Sequence, residues 1–202
     1  MSFDGKYSDG ISDSFHACKG NLHRLPREFK KWKTLQAYRK EWKCMYRYTT
    51  YTHISKLTEQ CLMCDYLVSL DLWLEPFSIF KERSKIILVQ LLASIYEAVL
   101  GHIINVKIAE EKNKSPLFNT TFYEEKFGDK RTFGPTLKIS NKIGLLAPKW
   151  SEHLGKINKI RNWIHLGEKE IGPLKTFLER ESCETLRGKL DEFRNYIDKL
   201  NP

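Results

Sequence analysis

Six consecutive residues, Arg161-Asn162-Trp163-Ile164-His165-Leu166, put a guanidinium and an imidazole four positions apart. On a helix that spacing stacks the two side chains on one face, about 5–6 Å apart at Cβ. The pairing suits work on a phosphodiester. An imidazole moves a proton near neutral pH, and a guanidinium holds phosphate oxygens through a rigid fork of donors. Asn162 adds a neutral donor and acceptor one position along. An ordinary helix that exposes an Arg and a His has the same spacing, so the surroundings must decide.

Those surroundings hold Leu145-Leu146-Ala147-Pro148, then a lysine-bearing stretch that leads through Lys159-Ile160 into the Arg-Asn-Trp-Ile-His run. Upstream, Ile86-Ile87-Leu88-Val89-Gln90-Leu91-Leu92-Ala93-Ser94-Ile95-Tyr96-Glu97-Ala98-Val99-Leu100 carries one acidic residue in an apolar run. In this order the two stretches resemble the HEPN superfamily, over residues of about 84–112 and 137–200. The resemblance implies a helical bundle in which a long helix with one acidic residue meets a helix that closes on an Arg-Asn…His motif. It also implies an endoribonuclease of a prokaryotic toxin–antitoxin or phage-defence system, and two-fold pairing of protomers so that their motif helices face a shared cleft. A cognate antitoxin or regulatory protein is an expected partner in such a system. One departure is plain: many catalytic members keep a longer gap between Arg and His than the three residues found here.

Glu97 lies among small residues, with Ala93, Ser94, Ala98 and Gly101 within a turn of it. Small side chains let a second helix approach closely, which would confine the carboxylate. A buried carboxylate needs a partner, and Arg161 is the natural one. Glu97 then either orients Arg161, or hydrogen-bonds His165 and sets its tautomer, or serves only as half of a structural ion pair. If the site is catalytic, the reaction is metal-independent transesterification of RNA. His165 acts as base on the ribose 2′-hydroxyl or as acid to the leaving oxygen, Arg161 binds the charge that grows on the phosphorus, and Asn162 positions the phosphate. No metal and no cofactor is called for.

A second candidate region runs from Lys19 to Tyr51. Lys30, Lys31, Lys33, Arg39, Lys40 and Lys43 stand among its cations, interleaved with Trp32, Tyr38, Trp42, Tyr46, Tyr48 and Tyr51. Such interleaving suits single-stranded RNA, where aromatics stack on bases and cations follow phosphates. The same segment also reads as an amphipathic helix, with Trp32, Leu35, Tyr38 and Trp42 facing a core at spacings of three and four. Both readings hold together if they occupy opposite faces. The formal net charge of +9 over 202 residues favours an anionic partner.

The elements that would position these residues are all helical. Residues 1–18, rich in Ser, Asp and Gly, read as a mobile N-terminus. After the basic aromatic segment, residues 52–202 read as the HEPN-like helical domain. Helices are expected over Thr52–Leu74, from an N-cap at Ser84 to about Glu111, over Thr136–Ile143 with a Gly144 cap, and over Trp150–His165. The last helix carries Leu186, Leu190, Phe193, Ile197 and Leu200 as one stripe. No β alternation appears, so the expected class is all-α: a HEPN-like bundle with a basic N-terminal helical extension.

Five cysteines without framework spacing, and a polar start carrying Asp4 and Lys6, fit a reducing cytoplasm with no signal peptide. Cys61 and Cys64 read as small apolar residues on a buried helix face rather than as zinc ligands. The apolar stretch Ile86–Val106 is broken by Gln90, Ser94, Glu97, His102 and Asn105, so no membrane span is expected. His16, His23, His53, His102 and His153 show no partner pattern, and no Gly-rich phosphate loop, nucleophile elbow or HExxH is present. Two functions remain: an RNA-cleaving HEPN protein, and a non-catalytic HEPN-like module that binds RNA or protein.

Overall fold

The computed structural model describes residues 35–73, 78–114, 132–166, 176–177 and 179–200. The chain divides after Lys33, and all the described residues fall in the unit Thr34–Pro202. The expected mobile N-terminus, Trp32 and the candidate contacts Lys30, Lys31 and Lys33 lie outside them.

Among the described residues all regular structure is helical. In chain order come α1 (Leu35–Glu41), a 3-10 helix (Lys43–Arg47), α2 (Tyr51–Trp73), α3 (Ser78–Lys114), α4 (Phe133–Lys142), α5 (Pro148–Leu166) and α6 (Cys183–Lys199). The protein is all-α in this region. At 37 residues α3 is the longest element, about 55 Å from end to end. It packs against α2, α4, α5 and α6, while α1 packs on α2. By length and hydropathy the stretch Arg83–Glu110 would suit a bilayer. Ten of its apolar side chains from Leu88 to Ile104 are turned into a core shared with every other helix.

Three helix starts differ from the sequence expectation. Ser84 is no N-cap: α3 begins at Ser78 and runs through Lys81-Glu82-Arg83, good helix formers that continue the turn. The Phe133-Gly134-Pro135 run, ahead of the start expected at Thr136, is the first turn of α4. Proline is tolerated there because its missing N–H would have had no intrahelical partner. For the same reason α5 starts at Pro148, two residues ahead of Trp150.

The turn between α4 and α5 sets the direction of α5. Gly144 adopts φ +68°, its N–H bonds to Asn141 O at 3.1 Å, and Leu145 N–H bonds to Ser140 O at 2.9 Å. This paired pattern caps the helix, with Leu145 tucked into the core. Tyr196 of α6 completes the turn. Its hydroxyl accepts from Ala147 N–H at 2.9 Å and donates to Leu145 O at 2.7 Å, so one phenol satisfies two backbone groups.

Ionic contacts hold α6 to the first two helices. Arg187, with a side chain only 9% exposed, meets Asp65 of α2 at 2.5 Å and Asp191 at 2.9 Å. Arg194 meets Asp191 at 3.2 Å and also pairs with Glu41 of α1. Burial opposes the Arg187 charge, but Asp65 and Asp191 outweigh it and leave the guanidinium firmly protonated. Cys61 and Cys64 are fully buried, with burial pushing the Cys61 thiol up to about 11 and Cys64 higher still.

Substitutions at the α4–α5 turn test this account. Gly144→Ala meets open space around the new Cβ, so its cost is backbone strain alone, about 1–2 kcal/mol. Tyr196→Phe keeps the packing but strands a backbone donor and acceptor, for about 1–3 kcal/mol. Gly155→Ala, in open space within α5, should stabilise by about 0.5–1 kcal/mol. Urea unfolding curves that fail to separate Gly144→Ala from Gly155→Ala in sign contradict the turn as described.

Candidate functional site

Arg161 follows the buried stripe Leu154, Ile157 and Ile160 of α5, which turns its side chain to the edge of the helix contact. Glu97 has the same relation to α3, next to fully buried Tyr96 and one turn beyond Ala93. The two edges meet. Arg161 Nη1 donates to Glu97 Oε2 at 2.9 Å, and each side chain keeps 23% of its surface exposed. The carboxylate and the guanidinium therefore sit at a rim rather than in the core. Among the described residues this is the one side-chain hydrogen bond of the Arg161 guanidinium.

Of the small residues around Glu97, Ala93 is fully buried in the core, whereas two do not have the role expected of them. Ala98 is exposed and Gly101 has open space where a Cβ would stand. α5 reaches Glu97 through the long Arg161 side chain. Asn162 is exposed, and Trp163 and Ile164 pack partly against the core, fixing the roll of the last turns of α5. His165 lies on α5 one turn beyond Arg161, and its side chain falls outside the described residues.

Of the candidate RNA contacts that are described, Lys40 and Lys43 are exposed. The Arg39 guanidinium sits over the Tyr51 ring, 5.0 Å from its centroid. Lys43 also lines a cavity of about 210 Å³ with Cys44, Arg47, Tyr48 and Asp198. Tyr38 and Trp42 are buried in the core, as the amphipathic reading of that segment requires.

The fold gives partners to three histidines whose sequence pattern showed none. His53 and His102 come together from α2 and α3, with ring centroids 4.9 Å apart. Thr50 Oγ1 lies 2.8 Å from His53 Nδ1, and Thr49 Oγ1 lies 3.4 Å from His102 Nε2. Burial, and then His53, lowers the pKa of His102. His153 stands 3.4 Å from the Tyr96 hydroxyl and packs edge-on to Trp150. With Lys149, Lys156, Phe177 and Lys189 it lines a cleft of about 220 Å³ between α5 and α6. The pairings of His102 with His53 and of His153 with Tyr96 join residues about 50 positions apart or more, which no local spacing could reveal. Among the described residues no group of three or more His, Cys, Asp or Glu is placed to hold a metal ion. Comparison with family models, curated proteins and solved structures finds no match to this chain.

Burial holds the His153 imidazole down at about 4, from an ordinary 6.5, with Lys189 next in effect. As pH falls from 6.5 toward 4, the unfolded chain takes up a proton there and the folded chain does not, so stability drops across that window. His102 acts in the same direction. The urea midpoint should therefore be lower at pH 5 than at pH 7, and His153→Gln should reduce the difference. An unchanged difference in His153→Gln counts against a buried neutral imidazole.

Proposed function

We propose that this protein is a metal-independent endoribonuclease of the HEPN type, working in a prokaryotic toxin–antitoxin or phage-defence system. The observation that carries the reading is the 2.9 Å contact between Glu97 Oε2 and Arg161 Nη1. It orients the guanidinium while using one of its five donors, one helical turn from His165. The rest of the fork is available for a phosphate. Held by Glu97, that fork is preorganised for the charge that develops on a pentacoordinate phosphorus.

In this mechanism one His165 takes the proton of a ribose 2′-hydroxyl, and the oxygen attacks the adjacent phosphorus. The P–O5′ bond breaks, the leaving oxygen receives a proton, and a 2′,3′-cyclic phosphate remains. A single imidazole cannot take the first proton and supply the second in one step. A homodimer that brings two His165 side chains to one cleft resolves this, and we include it in the proposal. Asn162, exposed beside Arg161, positions the phosphate. A cognate antitoxin or another regulatory protein would act by covering this rim.

A second reading has its own support. The gap of three residues between Arg161 and His165 is short for a catalytic HEPN motif, and Glu97 already occupies Arg161. Both would serve a non-catalytic HEPN-like module that binds RNA or protein.

The discriminating assay uses purified protein on total RNA in the presence of EDTA. His165→Ala should lower cleavage by roughly 10²-fold or more, the scale of a lost general acid–base group. Arg161→Lys should also lose cleavage, since an ammonium cannot reproduce the fork. Glu97→Gln should lower cleavage but leave the melting temperature nearly unchanged, because a pair this exposed contributes about 0–1 kcal/mol. Light scattering should give twice the 23.8 kDa of one chain. Binding of RNA without any His165-dependent cleavage would remove the enzyme and leave the second reading.

A further inference from the structure

The aromatic residues from Tyr38 to Tyr51 fall into distinct groups. Tyr38 and Trp42 are at most 2% exposed and fill the core where α1 meets α2. Tyr46 and Tyr51 are 45% and 56% exposed. Core packing accounts for the first pair and not for the second. The same short stretch carries four cations: Arg39, over the Tyr51 ring, and Lys40, Lys43 and Arg47, all three exposed. Lys43 and Arg47 share the walls of the 210 Å³ cavity with Asp198, and Glu110 acts on Tyr48 of the same wall. The acid of α1 itself, Glu41, is paired with Arg194 of α6. The surface formed by α1, the 3-10 helix and the first turn of α2 is therefore positive and carries open aromatic rings.

We propose that this surface binds a single-stranded polynucleotide, with Tyr46 and Tyr51 stacking on bases and Lys40, Lys43 and Arg47 following the phosphates. Unpaired bases offer faces to exposed rings, and cations beside the rings track the backbone without reading sequence. A duplex hides its base faces, so the tyrosines would contribute nothing to holding one. Arg39 over Tyr51 fixes that ring and adds a cation to the same stack. An acidic protein surface would use the four cations but has no need of the two rings. This inference deepens the RNA-binding part of the function proposed above. It does not rest on chemistry at Arg161, and protein that binds a strand without cutting it would satisfy it.

The test is fluorescence anisotropy of the full chain with a labelled oligouridine of about 12 nucleotides, within the usual range of single-strand sites. Oligothymidine and an RNA duplex of equal length are run beside it, over a salt series. The Tyr46→Ala/Tyr51→Ala variant should bind oligouridine about tenfold more weakly or worse, with its salt slope unchanged. Tyr46→Phe/Tyr51→Phe, which keeps both rings, should bind as the parent does and guards against a folding artefact. Lys40→Ser/Lys43→Ser should flatten the slope of log K against log salt by about 0.7 for each phosphate no longer neutralised. Lys138→Ser, which removes an exposed cation of α4, should bind like the parent, separating this surface from a general loss of positive charge. Oligothymidine bound as tightly as oligouridine assigns the surface to either kind of strand, and weaker binding assigns it to RNA. The inference is overturned if the duplex is preferred, or if removing both rings leaves oligouridine binding unchanged. Competition by polyglutamate as strong as that of unlabelled oligouridine also overturns it, in favour of an acidic protein partner.

Discussion

Ten side chains of α3 between Leu88 and Ile104 are wholly withdrawn from water, and the larger ones each stabilise the fold by about 1.5–3 kcal/mol. The apolar positions include 88, 92, 95, 99 and 103 and also 89, 93, 96, 100 and 104. Two interleaved rows at helical spacing make a stripe too broad for one partner helix to cover. The chain therefore surrounds α3 with α2, α4, α5 and α6. Once that burial is imposed, α5 has little freedom, and the place of Arg161 follows from it.

The ion pairs divide by burial into joints and fittings. Arg187 is almost out of water and has two carboxylates, so losing Asp65 would leave a desolvated guanidinium with only the more exposed Asp191. Removing one partner of a buried pair is expensive because the remaining charge cannot regain its hydration. Glu97 and Arg161 are more open, and an exposed pair of that kind adds little to stability. Its geometric consequence is larger than its energetic one: it holds a planar donor group in one orientation. In the function proposed above, that fixed orientation is what a phosphate would meet.

How much was legible in the sequence depended on the range of the interaction. The stripe Leu186, Leu190, Phe193 and Ile197, the Gly144 cap and the all-helical class follow from near neighbours, and each is found. Glu97 and Arg161 are 64 positions apart, and their pairing was legible because a carboxylate in an apolar run demands a cation. The His53–His102 pair and the His153 cleft were not legible, since nothing about an isolated histidine requires a particular partner. The strip Ala98–Gly101 misled for a related reason. Small residues permit close packing of helices, but they do not compel it, and here Ala98 is exposed and Gly101 has open space beside it.

The segment from Leu35 to Tyr51 satisfies the amphipathic reading and leaves part of its pattern over. Its aromatic residues recur too often for a single face, and the chain breaks from α-helix to 3-10 helix at Trp42–Lys43. That break changes the angle between successive side chains, so Met45 continues into the core while Tyr46 turns outward. The bundle takes Tyr38, Trp42 and Met45 and anchors α1 through Glu41 to Arg194. The residues left over, Tyr46, Tyr51, Lys40, Lys43 and Arg47, gain nothing from the core, yet they stand on a platform that the core holds still. For the strand binding proposed above, rigid support beneath the aromatic and cationic surface lowers the entropy that the protein must lose on binding, which favours such an anchored turn over a free arm.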